Sequence, residues 1–162
     1  MPIASTLRSG VLTALIVGLM ALPGAGRAQD AVGMCGDSTV PHLFVDIESY
    51  PRLDLELART PPEHEVGLMY REAVPADNGM LFVYQAESRE GYWMYHTLIP
   101  LSIAFWGKNG RILRILNMAP CRAAPCKVYD PHVAFRGALE VNRGAFARWS
   151  VHRGSVVTIR RS

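Results

Sequence analysis

His96 is the side chain best suited to chemistry in this chain, and its neighbours define what that chemistry would be. It stands in a stretch, residues 91–105, that carries Tyr92, Trp93, Met94, Tyr95 and Thr97 before turning at Pro100 into an apolar run. A histidine at a strand end binds a ligand, moves a proton or holds a metal near neutral pH. Trp93 and Tyr95 offer flat apolar faces with a polar edge, the usual furniture of a recognition groove. Arg71 would hold an anion at the mouth of such a groove, and Glu140 and Asn142, two residues apart, share one strand face as a polar lining. The candidate ligand-binding set is therefore Arg71, Trp93, Tyr95, His96, Thr97, Glu140 and Asn142. Each has a plainer reading beside it. His96 can cover the core with one nitrogen on a backbone carbonyl, Arg71 can satisfy the last carbonyls of a helix, and Glu140 with Asn142 can be an exposed sheet face.

Catalysis by His96 as acid or base needs a second titratable group within reach of the substrate. Glu140, Asp130 and Glu72 are the available partners, which leaves a hydrolase-like enzyme as one alternative. His64-Glu65 opens like a zinc-protease helix, but Leu68 stands where the second His is needed, so both read as a solvated helix face. Cys121, Cys126 and His132 with His96 make a weak metal pattern, and no metal or cofactor is assigned. No nucleophile elbow, dinucleotide fingerprint or phosphate loop occurs.

The elements that must position these residues follow from periodicity. Leu43, Val45 and Ile47 alternate with polar or aromatic neighbours, and Leu53-Asp-Leu-Glu-Leu57 alternates cleanly, so both read as strands. Thr60-Pro-Pro-Glu63 is a capping box with Pro at the first helical position, predicting a helix to about Tyr70 with Val66, Met69 and Tyr70 toward the core. Residues 80–84 read as a buried strand and 85–91 as a polar turn. Within the central stretch Tyr95 and Thr97 are expected to point away from His96 along a strand. Asn109-Gly110 predicts a type I′ hairpin pairing strands about 100–106 and 111–118. Residues 138–141, a short helix near 145–149 and a strand ending at Ile159 complete the chain. About seven strands and two short helices give an α+β, mainly antiparallel architecture: a small, partly closed β-barrel with one or two short helices.

Length and composition bound the rest. The 162 residues suit one domain. Arg8, the apolar run 11–22 and the small residues Gly26 and Ala28 read as a signal peptide over 1–28. A flexible lead-in over 29–39 and one globular domain over 40–162 follow. The apolar run is short of the roughly 20 residues a bilayer span needs, so no stable membrane span is expected after cleavage. Removing 28 residues leaves 134 and takes Arg8 and Arg27 with it, so 15 basic residues face 14 acidic ones. A net charge of about +1, scattered, gives no case for nucleic acid. Three cysteines in an exported chain call for a disulfide: Cys121–Cys126 closes a short loop, or Cys35 bridges to either of them.

Gly67-Leu-Met-Tyr-Arg71, Gly79-Met-Leu-Phe-Val83, Trp93-Met94, Thr97-Leu-Ile-Pro-Leu101 and Ile103-Ala-Phe105 resemble, in order, the signature blocks of the domain of unknown function 192 family. The resemblance runs from about residue 53 to 157 and implies a small, often exported, β-rich domain whose family carries no established activity. Where the family reads Trp-Met-Lys-Asn-Thr, this chain has Tyr95 and His96; His64 replaces an Arg, Ser102 an Asp, and Ser155 an Asp after Gly154. The functional expectation is a periplasmic or secreted domain that binds a small polar ligand or a protein partner without catalysis. The enzyme just described and a structural or assembly role through a sheet edge are the alternatives.

Overall fold

A computed structural model of the chain describes residues 41–47 and 50–160. The expected signal peptide and lead-in, and Cys35 with them, lie outside the described residues. Seven strands form one sheet: β1 (His42–Ile47), β2 (Tyr50–Ala58), β3 (Asn78–Ser88), β5 (Leu101–Trp106), β6 (Ile112–Met118), β8 (Phe135–Asn142) and β9 (Val157–Arg160), in the order β6-β5-β8-β3-β2-β1-β9. Two short strands, β4 (Tyr92–Trp93) and β7 (Val128–Tyr129), pair separately, and the described residues also form two short helices, α1 (Pro61–Val66) and α2 (Ala145–Arg148). The sheet curls until its edges meet at one end, where Ile112 N donates to Ser155 O at 2.9 Å and Val157 N to Gly110 O at 2.8 Å. The expected partly closed, mainly antiparallel barrel is what forms. One pair departs from that expectation: β2 and β3 run parallel, because α1 carries the chain back between them.

Strand alternation divides the core into two layers. Inside the curl, Val45, Leu53, Leu55, Leu81, Leu139 and Val141 pack with Phe146 and Trp149, which α2 inserts as a plug. On the opposite face Met80, Phe82, Leu101, Ile103, Phe105, Phe135 and Ala138 are covered by Leu68, Tyr92 and Met94. Gly137 is required where it stands, since a Cβ there would lie 2.1 Å from Trp106 Cζ2.

Several local expectations are corrected. α1 ends at Val66 rather than near Tyr70, because Gly67 caps it with φ 47° and Tyr70 also takes a positive φ of 61°. Those turns throw Val66 (55% exposed) and Tyr70 (65%) outward and leave Leu68 as the buried residue. Asn109 is not left-handed, so the hairpin is not type I′. Gly110 alone has positive φ, Gly107 N bonds Arg111 O across a longer loop, and Asn109 Oδ1 accepts from Arg111 N. β3 continues to Ser88, through part of the expected turn.

Cys121 and Cys126 are bonded to each other. Cys121 N donates to Met94 O at 3.2 Å, and Cys121 bridges to both Tyr95 and Thr97, so the disulfide loop braces the segment after β4. Closing so short a loop is worth about 2 kcal/mol in the chain-entropy account. Replacing both cysteines by serine should therefore lower the melting temperature by roughly 5–10 °C in a calorimetric scan; an unchanged transition would mean that the loop is ordered without its bridge.

Candidate functional site

A cavity of about 530 Å³ opens on the face covered by α1 and β4. β3 supplies Phe82 and Tyr84, β4 supplies Tyr92 and Trp93, α1 supplies His64 and Glu65, and Arg59, Glu90, Thr97 and Glu140 add further polar groups. The capping box positions the helix side of this wall. Glu63 accepts hydrogen bonds from Arg59 N (2.6 Å) and Thr60 N (2.9 Å), and these backbone donors hold its carboxyl below the usual range. His64 is then turned inward. Its Nε2 donates to the Ala58 carbonyl at 3.1 Å and its ring lies 4.5 Å from that of Tyr84. The expectation of a solvated His64 is corrected: a six-residue helix seated directly on β3 shows this face to the sheet.

Glu140 is the chemically distinctive group. β8 lies between β3 and β5, with Glu140 opposite Met80 on one side and Ile103 on the other. Its side chain points to the same face as Ala138 and is only 5% exposed. Among the described residues none donates a hydrogen bond to its carboxyl or forms an ion pair with it, and burial alone pushes that carboxyl up to about 8. An acid in this state is mostly protonated at neutral pH and can donate as well as accept. Beside it the hydroxyls of Tyr84 and Tyr92 bond each other at 2.8 Å. Burial raises both tyrosines above their ordinary range; for Tyr92 the neighbouring Tyr84 comes next, and the charges of Glu90 and Glu140 add to both. Phe82, Phe105 and Phe135 stand edge-on to these tyrosines and stiffen the wall.

The other expected site residues fall elsewhere. Residues 94–97 form a turn rather than a strand, closed by Thr97 N to Met94 O at 3.0 Å, with His96 at φ 52°. The expected alternation therefore fails there: the Tyr95 and His96 rings lie 3.8 Å apart, and His96 stacks on Tyr70 at 4.9 Å. Asn, the family residue at this place, takes the left-handed conformation more readily than most side chains. No described carboxylate pairs with His96. The Arg71 guanidinium grips both oxygens of Glu56 on β2. Asn142 donates to Val74 O (2.8 Å) and Pro75 O (3.1 Å), fastening the loop ahead of β3. Of the seven expected residues, Trp93, Thr97 and Glu140 line the cavity, and Arg71, Tyr95, His96 and Asn142 do not. The reading by spacing missed His64, Tyr84 and Tyr92. Only the apolar run 80–84 ending in a tyrosine carried any signal of them. Among the described residues no helix is long and apolar enough to cross a membrane.

Residues 44–159 match the model of the domain of unknown function 192 family, whose description is "Uncharacterized ACR". No curated protein matches the chain. Two crystal structures share its fold. One, a candidate transcription regulator from Sinorhizobium meliloti 1021, is 30% identical with a TM-score of 0.69, over 76% of this chain and 98% of its own. The other, a protein of unknown function from Novosphingobium aromaticivorans, is 30% identical with a TM-score of 0.64, over 74% and 84%.

Proposed function

Since the chain belongs to the domain of unknown function 192 family, which brings a fold without an activity, the functional reading must come from the site, and we propose an exported domain that binds a small polar organic ligand in the cavity beneath α1. The observation that carries this is Glu140, a buried carboxyl without a partner among the described residues on the wall of an aromatic cavity. Its oxygens are not sealed off as unsatisfied buried atoms, so they open into the cavity, where a ligand donor can reach them. The volume falls within the range of small-molecule sites, and a few convergent polar groups on apolar walls are their usual make-up. Binding is favoured over catalysis because the lining lacks a nucleophile paired with a base. His64 Nε2 is committed to Ala58 O, and the two tyrosine hydroxyls are committed to each other. Export is supported by the signal-peptide pattern of residues 1–28 and by the Cys121–Cys126 bridge, which persists in oxidising compartments.

Trp93 is 49% exposed at the cavity's edge, so its removal should cost little stability. Native mass spectrometry of the protein purified from an exporting host should show cleavage after Ala28 and a bound small-molecule mass lost on unfolding. Trp93→Ala should weaken retention of that molecule roughly tenfold or more, as loss of an aromatic anchor does. His96→Ala, outside the lining, should retain it. Retention that depends on His96 and not on Trp93 would move the site to the Tyr70–His96 stack.

A further inference from the structure

The charge of the ligand can be inferred from what surrounds Glu140, granted that the cavity binds a ligand at all. We propose that the cavity takes a small organic cation, its ammonium group against the Glu140 carboxylate and its hydrocarbon body against the aromatic wall. Three features converge on this. Glu140 is 5% exposed, lines the cavity and has no partner among the described residues, so its acceptor capacity is unused. The charged lining is lopsided: Glu65, Glu90 and Glu140 stand against the single guanidinium of Arg59. An anion would meet Glu65 and Glu90 with no free cation among the described residues of the lining beyond Arg59, whereas a cation is drawn toward them and gains the Glu140 carboxylate once its proton leaves. Finally, Phe82, Tyr84, Tyr92 and Trp93 present rings that favour a cation over a neutral group of the same shape.

The groups facing Glu140 can be followed element by element. α1 and its approach bring Arg59, His64 and Glu65; β3 brings Tyr84; the turn before β4 and β4 itself bring Glu90 and Tyr92. β5, which flanks β8, has no titratable side chain in Leu101–Trp106. No cation among them is bonded to Glu140, so a bound ammonium would be its first counter-ion. Burial holds the empty carboxyl up to about 8. An ammonium must therefore displace a proton from it, and that proton leaves to solvent. Affinity should rise about tenfold per pH unit from pH 5 toward 8 and then level off.

Three probes of matched shape test this by calorimetric titration of the full folded domain: 2-phenylethylammonium, 2-phenylethanol and phenylacetate. The expected result is binding of the ammonium alone, with proton release visible as a dependence of the heat on buffer ionisation enthalpy. Glu140→Gln should abolish the pH dependence and weaken the ammonium at least tenfold. Glu65→Gln, at the exposed rim, should weaken it less than threefold. Binding of the alcohol or the phenylacetate in preference to the ammonium would overturn the cation assignment and leave the binding cavity standing. Ammonium binding unaffected by Glu140→Gln would also overturn it. Binding of none of the three at millimolar concentration would count against the cavity as a ligand site and remove both readings.

Discussion

Glu140→Gln should make the domain more stable at alkaline pH and leave it nearly unchanged in acid. The Glu140 carboxyl ionises near 4.5 in an open chain and near 8 in the fold, because burial penalises its charged form. Between those values the native state holds a proton that the unfolded state has released. The unfolded state thus binds fewer protons, and stability falls as pH rises through this window. Below about 4.5 the penalty is absent; above about 8 it is complete. Each unit of separation is worth about 1.4 kcal/mol, so the ceiling is about 5 kcal/mol, and relaxation of the cavity around the charge makes a few kcal/mol the working figure. A glutamine keeps the shape and the neutral hydrogen-bonding groups but cannot ionise. Urea melts of both proteins from pH 4 to 9 should therefore diverge steadily above pH 5, with the variant flatter and higher. Parallel profiles would show that Glu140 ionises in the fold as easily as in water.

How much of this was readable beforehand depends on the range of the interaction involved. The alternation of Leu53, Leu55 and Leu57, the capping box at Thr60 and Glu63, and the short span between Cys121 and Cys126 are local signals, and each produced the element it implied. The hairpin of β5 and β6 was legible too, although its turn type depended on whether Asn109 would go left-handed. The cavity was not legible as a whole. Glu140 looks like any outward carboxylate in Ala138-Leu-Glu-Val141 until β3 and β5 flank it and Leu68, Tyr92 and Met94 roof the face it shares. Tyr84 and Tyr92 meet only because the chain turns back after Ser88. His96 drew attention through composition alone. The turn that removes it from the lining is fixed by Cys121, 25 positions further along the chain.

Phe82→Ala should be the most damaging single change in the cavity wall, costing about 3–5 kcal/mol. Phe82 is 1% exposed, sits on β3 between β2 and β8, and meets Tyr92 edge-on at 5.3 Å and His64 at 5.7 Å. Gly67 also packs against it, since a Cβ there would lie 3.4 Å from Phe82 Cζ. Truncation removes the ring on which α1 rests and leaves the Tyr84–Tyr92 hydroxyl pair unsupported from that side. The melting temperature should fall by at least about 10 °C, and hydrogen exchange should accelerate in 61–70 ahead of β1 and β2. Trp93→Ala, on the same cavity but half-exposed, should shift the melting temperature by no more than a few degrees while weakening ligand retention. The contrast separates two kinds of wall. Phe82 belongs to the core that keeps the Glu140 pocket shaped in the absence of any ligand, whereas Trp93 has little to do for the fold and is free to serve the occupant. Equal losses of stability in the two variants would mean that the whole wall is structural, and the case for a preformed site would then rest on Glu140 alone.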